Sequence, residues 1–167
     1  MNVVLAIIGS RGLGQPQRYT NEIYTGATLY PTWTNVAQFN FAIKELNAIA
    51  MRIQEVERED NPDFDARKHL TVIIGDADGA DEIGRLWAIK NQLTYTVIPA
   101  KWRIYGRSAG HRRNPDIIAP AKYVAAFWDG DSKGTEGGIE YARKHDKKLK
   151  VIRYLRRVKY LKRKVPK

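Results

Sequence analysis

Short apolar runs alternate along the chain with segments in which apolar residues recur every three or four positions. The runs are rich in β-branched, aromatic and small residues, as expected of parallel strands covered on both faces. They predict five strands, at residues 2–8, 70–74, 94–98, 123–128 and 149–154. The longer periodic segments predict helices at residues 35–58, 79–92, 115–118 and 135–145.

This alternation predicts an α/β fold. Strands that alternate with helices are joined by right-handed crossovers into a parallel sheet. We therefore expect a single Rossmann-like domain, with a five-stranded parallel sheet and helices on both faces. The 167 residues suffice for one such domain and are too few for two ordinary ones. The domain is expected to span residues 1–155, with a loop insertion at 12–33 and a basic C-terminal tail at 156–167.

The net charge of +11 is concentrated at the C-terminus. Residues 147–167 contain eleven Lys and Arg and no acid, whereas the eighteen acids of residues 1–146 balance eighteen Lys and Arg. Such a segment can neutralise the phosphates of a nucleic acid. A final strand followed by a solvated end accounts for the same charges. Both interpretations stay open.

Composition excludes several classes of protein and site. The chain has no cysteine, which rules out disulfides and thiolate metal sites. No run approaches 18 apolar residues, so no membrane partner is expected. The N-terminal apolar run lacks a basic flank and ends at Gly9, so it fits a strand better than a signal peptide, and a cytoplasmic location is expected. No metal-ligand spacing links His69, His111 and His145. We predict neither a metal site nor a resident cofactor.

Polar, glycine-rich segments follow four of the predicted strands, at residues 9–11, 75–81, 99–106 and 129–135. In an open parallel sheet, ligands bind beyond the carboxyl ends of the strands, where the winding reverses. In the last segment Gly130 and Gly134 permit a close backbone approach. Thr135 is expected at the helix start, where its hydroxyl caps free amides or shares them with an anion. This turn is predicted to hold a phosphate.

Four motifs, in this order, resemble the YspA group of the SLOG superfamily, a Rossmann-like set that includes the LOG phosphoribohydrolases and the DNA-processing protein DprA. They are Ile-Gly-Ser-Arg at 8–11, Gly-x3-Gly-Ala-Asp at 75–81, Trp-x2-Tyr-Gly-x2-Ala-Gly-x2-Arg-Asn at 102–114, and Phe-Trp-Asp-Gly-x-Ser-x-Gly-Thr at 127–135. The resemblance implies a nucleotide or nucleotide-derived, ADP-ribose-like ligand at the sheet edge. It also implies a homo-oligomer that pairs through helices beside the site.

The motifs and the turn chemistry together give the expected ligand-binding residues. These are Gly9, Ser10, Arg11, Gly75, Asp76, Gly79, Ala80, Asp81, Arg113, Asn114, Trp128, Asp129, Gly130, Ser132, Gly134 and Thr135. Arg11 can bind phosphate through its planar fork or close a salt bridge across its loop. Asp81 can cap a helix or bind a ribose hydroxyl. Arg113 is favoured over Arg112 as a ligand contact in a loop that ends at Pro115, and His111 is expected to be an exposed loop residue.

Catalysis is left open by the sequence. The glutamate that the resemblance assigns to N-glycosidic cleavage in LOG enzymes falls on Gly138. The remaining candidates for a general acid or base are Glu136, Asp129 and Asp81, and Glu136 can equally serve the helix dipole. The sequence thus leaves three functions: a sensor or sequestering protein for a nucleotide, a nucleotide-processing hydrolase, or a DNA-binding protein that uses residues 147–167.

Overall fold

Five parallel strands form one sheet in the order β3-β2-β1-β4-β5. The structure, a computed structural model, describes residues 1–14 and 29–154, without the side chains of residues 29–35. The strands are β1 (Val3–Gly9), β2 (Leu70–Gly75), β3 (Thr94–Ile98), β4 (Tyr123–Trp128) and β5 (Lys148–Arg153). The predicted fold class is confirmed, and every strand boundary lies within one residue of the predicted one. The expected tail and residues 15–28 of the expected insertion lie outside the described residues.

Helices cover both faces of the sheet. They are α1 (Leu29–Asp60), α2 (Ala66–His69), α3 (Ala80–Lys90), α4 (Trp102–Tyr105), α5 (Ala109–Ile118) and α6 (Lys133–Lys144), with a 3-10 turn at Gly106–Ser108. Alternate residues of β1 enter the two cores. Leu5 and Ile7 pack on the face covered by α1 and α3, whereas Ala6 and Ile8 pack on the face covered by α5 and α6. This two-sided burial explains why the strands are apolar without alternation.

The strand order places the reversal of winding between β1 and β4. The chain moves from β1 to β2 and β3 in one direction, and β4 then pairs with the other side of β1. The carboxyl ends of β1 and β4 therefore lie side by side, with Gly9 opposite Phe127. In open α/β sheets this crevice is where ligands bind.

Two predicted helix starts are wrong by six residues each. The helix predicted to begin at Pro115 begins at Ala109, with Pro115 inside it. A proline there removes one backbone hydrogen bond, and burial of Arg113, Asn114, Ile117 and Ile118 along one face keeps the helix on the sheet. The helix predicted to begin at residue 35 begins at Leu29 and so includes residues 29–33 of the expected insertion. Pro31 falls in its first turn, where a missing amide is tolerated.

The segment expected to be a loop between β3 and α5 is largely helical. It contains α4 and the 3-10 turn, so only residues 99–101 lie outside helices and turns between β3 and α5. As a consequence His111, Arg112, Arg113 and Asn114 project from α5 and not from a loop. Their positions relative to the sheet are fixed by helix packing.

Candidate functional site

An open cleft of about 460 Å³ lies between the carboxyl ends of β1 and β4. Its volume falls within the roughly 300–1,000 Å³ that is usual for small-molecule sites. Ten of the predicted ligand-binding residues line it: Gly9, Ser10, Arg11, Asp81, Arg113, Asn114, Asp129, Ser132, Gly134 and Thr135. Sequence reasoning missed six other lining residues: Gly12, Ala77, Arg107, Gly110, His111 and Asp131. The structure thus brings most of the predicted set together at the reversal of the winding.

The turn between β4 and α6 is closed by a carboxylate. Asp129 Oδ1 accepts hydrogen bonds from the amides of Asp131 at 2.9 Å and Ser132 at 2.8 Å. Gly130 has φ +87°, a left-handed conformation that strains residues with a side chain. These contacts direct the N-terminus of α6 towards the cleft, where Gly134 lines the wall.

The predicted cap of α6 is wrong by three residues. α6 begins at Lys133, and Ser132 is its N-cap, with its hydroxyl accepting from the Thr135 amide at 3.4 Å. Thr135 instead lies inside the first turn, buried, with its Oγ1 3.1 Å from Ser132 Oγ. The positive end of the helix dipole remains at the cleft and favours an anion there.

His111 is exposed, as expected, yet it lies on α5 beside the N-terminus of α6. Its ring packs on Gly134 so closely that a Cβ there would lie 2.6 Å from Cδ2. A side chain at position 134 would therefore displace the His111 ring. Because His111 lines the cleft, it is a polar side chain that a ligand at the α6 N-terminus would meet.

Arg11 lies on the opposite wall and is stacked on an aromatic ring. Its guanidinium lies 4.4 Å from the centroid of the Trp102 ring. Trp102 Nε1 in turn donates to Asp76 Oδ2 at 3.4 Å. The expected alternative, a salt bridge across the loop, is not formed with any carboxylate in the described part of the chain. The stack holds the Arg11 fork at the cleft without neutralising its charge.

Arg113 does not have the free guanidinium expected of a ligand contact. It is 7% exposed and forms ion pairs with Asp76 through Nη1 and with Asp81 through Nη2, the latter at 3.1 Å. Its Nε is buried and has no hydrogen-bond partner among the described residues. Two carboxylates therefore neutralise Arg113, which supports the floor of the cleft.

Asp81 lines the cleft but does not cap α3, and its Oδ2 atom already accepts hydrogen bonds within the protein. The N-cap of α3 is Gly79, and Asp81 Oδ2 accepts from the Ala77 amide at 3.1 Å as well as from Arg113. Burial raises the pKa of Asp81, although Arg113 and nearby backbone amides act in the opposite direction. Charging this carboxylate is therefore costly within the fold.

The other predicted residues lie behind the cleft and support it. Asp76 binds the Arg113 guanidinium. Gly75 leaves room for that guanidinium, which fills the space that a Cβ at position 75 would need. A Cβ at Gly9 would lie 2.6 Å from that of Ala80, so β1 and α3 are in close contact. Trp128 Nε1 donates to the Ser132 carbonyl at 3.1 Å. These residues shape the walls without lining them.

Of the three candidates for acid–base catalysis, Glu136 does not line the cleft and pairs with Lys133 at 3.2 Å. Gly138, which the resemblance would align with the LOG glutamate, is buried. A Cβ there would lie 2.6 Å from Ile8 Cδ1 and 3.3 Å from Asn114 Nδ2. A glutamate at this position would displace the side chains of Ile8 on β1 and Asn114 on α5.

This packing gives a prediction with a control in the adjacent residue. Gly137→Ala is expected to stabilise the protein by up to about 1 kcal/mol, because its Cβ meets no atom within 4 Å and alanine favours the helix. Gly138→Ala gains the same propensity but overpacks the core, which typically costs about 1–3 kcal/mol. Urea denaturation of both variants should show Gly138→Ala to be the less stable. Equal stability would mean that α6 does not pack closely on Ile8.

Ser10 is the most enclosed polar residue of the β1 wall. It is 4% exposed, and its carbonyl accepts from the amides of Leu13 and Ala80 at 3.4 and 3.3 Å. Its Oγ is buried and has no partner within the described part of the molecule. A buried hydroxyl without a partner is uncommon, because desolvation is then uncompensated.

Two other kinds of site are not found in the described ranges, 1–14 and 29–154. They contain no group of three or more His, Asp or Glu residues that could hold a metal ion. None of their helices is both long and apolar enough to cross a bilayer.

Comparisons of the chain with protein-family models, curated proteins and solved structures gave no match.

Proposed function

We propose that the protein binds a nucleotide or a nucleotide-derived, ADP-ribose-like ligand in the cleft between β1 and β4, as a sensor or a sequestering protein. One observation carries this proposal: the N-terminus of α6, Arg11 and His111 line the same cleft, between β1 and β4, where the strand order reverses. Helix N-termini and arginine forks both favour phosphate oxygens. The resemblance of the four sequence motifs to the YspA group supports the same class of ligand.

The charges of the cleft support a ligand with an anionic part and a hydrogen-bonding part. Arg11, Arg107 and His111 line it together with the carboxylates Asp129 and Asp131. Arg113 adds no free positive charge to the cleft, because it is ion-paired with both Asp76 and Asp81. A phosphate therefore fits between Arg11 and the N-terminus of α6. The two carboxylates flank the same helix N-terminus, so they favour a ligand that also carries hydroxyl or amino groups.

Binding without turnover is favoured over hydrolysis. Glu136 is outside the cleft, Asp81 is paired with Arg113, and a glutamate in place of Gly138 would displace its neighbours. Asp129 lines the cleft, but its Oδ1 closes the turn before α6. A cytoplasmic location is proposed with this function.

The test is calorimetric titration with AMP, ADP, ADP-ribose and inorganic phosphate. Arg11→Ala is expected to weaken binding of the phosphorylated ligands by about 10–100-fold, because hydrogen bonds to charged groups contribute about 1.5–3 kcal/mol. Arg11→Lys keeps the charge but loses the fork, so its affinity should fall between the two. Arg52→Ala removes an equal charge from α1, where Arg52 is 72% exposed, and should leave affinity unchanged.

Two results would reject the proposal: no heat with any of the four compounds at millimolar concentration, or unchanged affinity in Arg11→Ala. Chromatography of the titrated samples tests turnover in the same experiment. Release of a free base or phosphate would show that the cleft is catalytic. Mass spectrometry of small molecules released from the purified protein would identify a ligand retained from the cell.

A further inference from the structure

β3 forms one edge of the sheet, and no strand in the described part of the chain pairs with its outer side. Four of its five residues are exposed, and none is charged or a proline. Its register with β2 runs without interruption from Thr94 to Ile98, so it contains no bulge. Edge strands of monomeric proteins normally carry charged residues, prolines or bulges, because these prevent pairing with another chain. β3 has no charged residue, no proline and no bulge.

The opposite edge shows the protection that β3 lacks. β5 contains Lys148, Lys150 and Arg153 among its six residues and no acid. An antiparallel copy of β5 would bring like charges together across the strands, which is destabilising. The two edges of one sheet thus differ in kind, and β3 alone is suited to pair with an uncharged strand.

Exposed apolar side chains extend from β3 onto the neighbouring helix. Tyr95 and Val97 are 38% and 37% exposed, and Leu86 and Ile89 of α3 are 40% and 47% exposed. In the sheet, Tyr95 lies next to Val72, a residue of the core beneath α3. Tyr95 and Val97 therefore point to the side of the sheet that α3 covers, and Leu86 and Ile89 lie on the outer side of that helix, away from its buried residues.

We propose that β3 pairs antiparallel with β3 of a second copy of this chain, about a two-fold axis through Thr96, so that the two sheets join into one. In this register Thr96 faces its own counterpart, Tyr95 faces Val97 of the second copy, and Thr94 faces Ile98. Aromatic with β-branched residues and threonine with threonine are favourable cross-strand pairs. The strand is therefore complementary to itself, as a symmetric interface requires.

The helix beside the strand has the same symmetry. When α3 crosses its own copy in antiparallel orientation at Leu86, Glu82 lies opposite Lys90 of the second copy, because both are four residues from Leu86. A stable interface buries about 800 Å² on each partner, and a five-residue strand is about 17 Å long. The strand alone is too small, so the exposed side chains of α3 complete the interface. Self-complementary charges and side-chain pairs favour a second copy over a different protein.

The first test uses the absence of cysteine from the chain. Thr96→Cys places one thiol on the proposed axis, facing its own counterpart about 4.5–5.5 Å away between Cβ atoms. Mild oxidation or a short bismaleimide should convert most of the full-length protein into a covalent dimer at micromolar concentration. Asn40→Cys, an exposed position on α1, is the control and should remain monomeric on a denaturing gel. Failure of Thr96→Cys to cross-link above this control would overturn the proposal.

The second test measures the oligomeric state by sedimentation velocity. The sedimentation coefficient of the unmodified protein is expected to correspond to twice the mass of one chain. Thr96→Lys and Leu86→Arg, which set like charges against each other across the axis, should each shift it to a monomer with unchanged circular dichroism. Asn40→Lys should leave the dimer intact. A monomeric unmodified protein, or a dimer that survives in either folded variant, would overturn the proposal.

Discussion

Arg113→Ala is expected to lower the free energy of unfolding by about 3–5 kcal/mol, the range for removing one partner of a buried ion pair. The side chains of Arg113 and Asp81 are 7% and 5% exposed, so water cannot replace the lost guanidinium. Asp76 is 29% exposed, so water can partly solvate its carboxylate and the cost of losing Arg113 is smaller there. Urea denaturation monitored by circular dichroism measures the loss. The ligand affinity of the folded fraction should also fall. Without Arg113, Asp76 is no longer held in place, and Asp76 is the hydrogen-bond acceptor of Trp102, on which Arg11 stacks.

Two controls separate the buried charge from a general loss of packing. Arg52→Ala breaks an ion pair whose side chains are 72% and 63% exposed, and should change stability by no more than about 1 kcal/mol. Adding Asp81→Asn to Arg113→Ala removes the charge that has been left buried, so the double variant should be more stable than Arg113→Ala alone. A double variant that is less stable would show that the hydrogen bond from the Ala77 amide to Asp81 outweighs the cost of the buried charge.

The loss in Arg113→Ala should depend on pH in a defined direction. Burial raises the pKa of Asp81, and the positive charge of Arg113 lowers it. Removing Arg113 should therefore raise the pKa of Asp81 further. A group with a raised folded-state pKa stabilises the fold below its unfolded pKa, near 4, and this contribution is lost as pH rises through the folded value. The variant should therefore approach the unmodified protein in stability near pH 4 and fall away from it towards pH 7.

The fold could be predicted from sequence because the strands carry a strong signal. β4 is buried along nearly its whole length, and a short, continuous apolar run of this kind is typical of a parallel strand covered on both faces. The alternation of strands and helices then fixed the parallel class. The order of the strands could not be read this way, since nothing in the pattern says on which side of β1 the later strands are added. It was the observed order that located the cleft between β1 and β4.

The site was predicted where it depends on local turns and missed where it depends on distant contacts. The turn from Asp129 to Ser132 is closed by hydrogen bonds between residues two and three apart, which composition reveals. Arg113, in contrast, meets Asp76 and Asp81 across 37 and 32 residues. Its helix buries an arginine and an asparagine, so no apolar stripe marks where α5 begins. The sequence predicts a loop at His111 for the same reason.

Gly79→Ala is expected to destabilise the protein by about 4 kcal/mol, the sum of two effects. Gly79 has φ +75°, where a side chain costs about 1–3 kcal/mol of backbone strain. A Cβ there would also collide with the carbonyl oxygens of Ser10 and Arg11, and such overpacking adds about 1–3 kcal/mol. Because those carbonyls belong to the β1 wall of the cleft, the variant should also bind nucleotides more weakly.

Gly106→Ala separates the two effects. Gly106 has φ +54° and ψ −132°, close to the +75° and −122° of Gly79, yet a Cβ on it would meet no atom within 4 Å. It should therefore show the strain of about 1–3 kcal/mol alone and leave nucleotide affinity unchanged. The difference between the two midpoints in urea then measures how tightly α3 is held against the end of β1. Equal losses in the two variants would mean that the β1 wall yields to a methyl group, and Ser10 and Arg11 could not then be fixed in position for a phosphate.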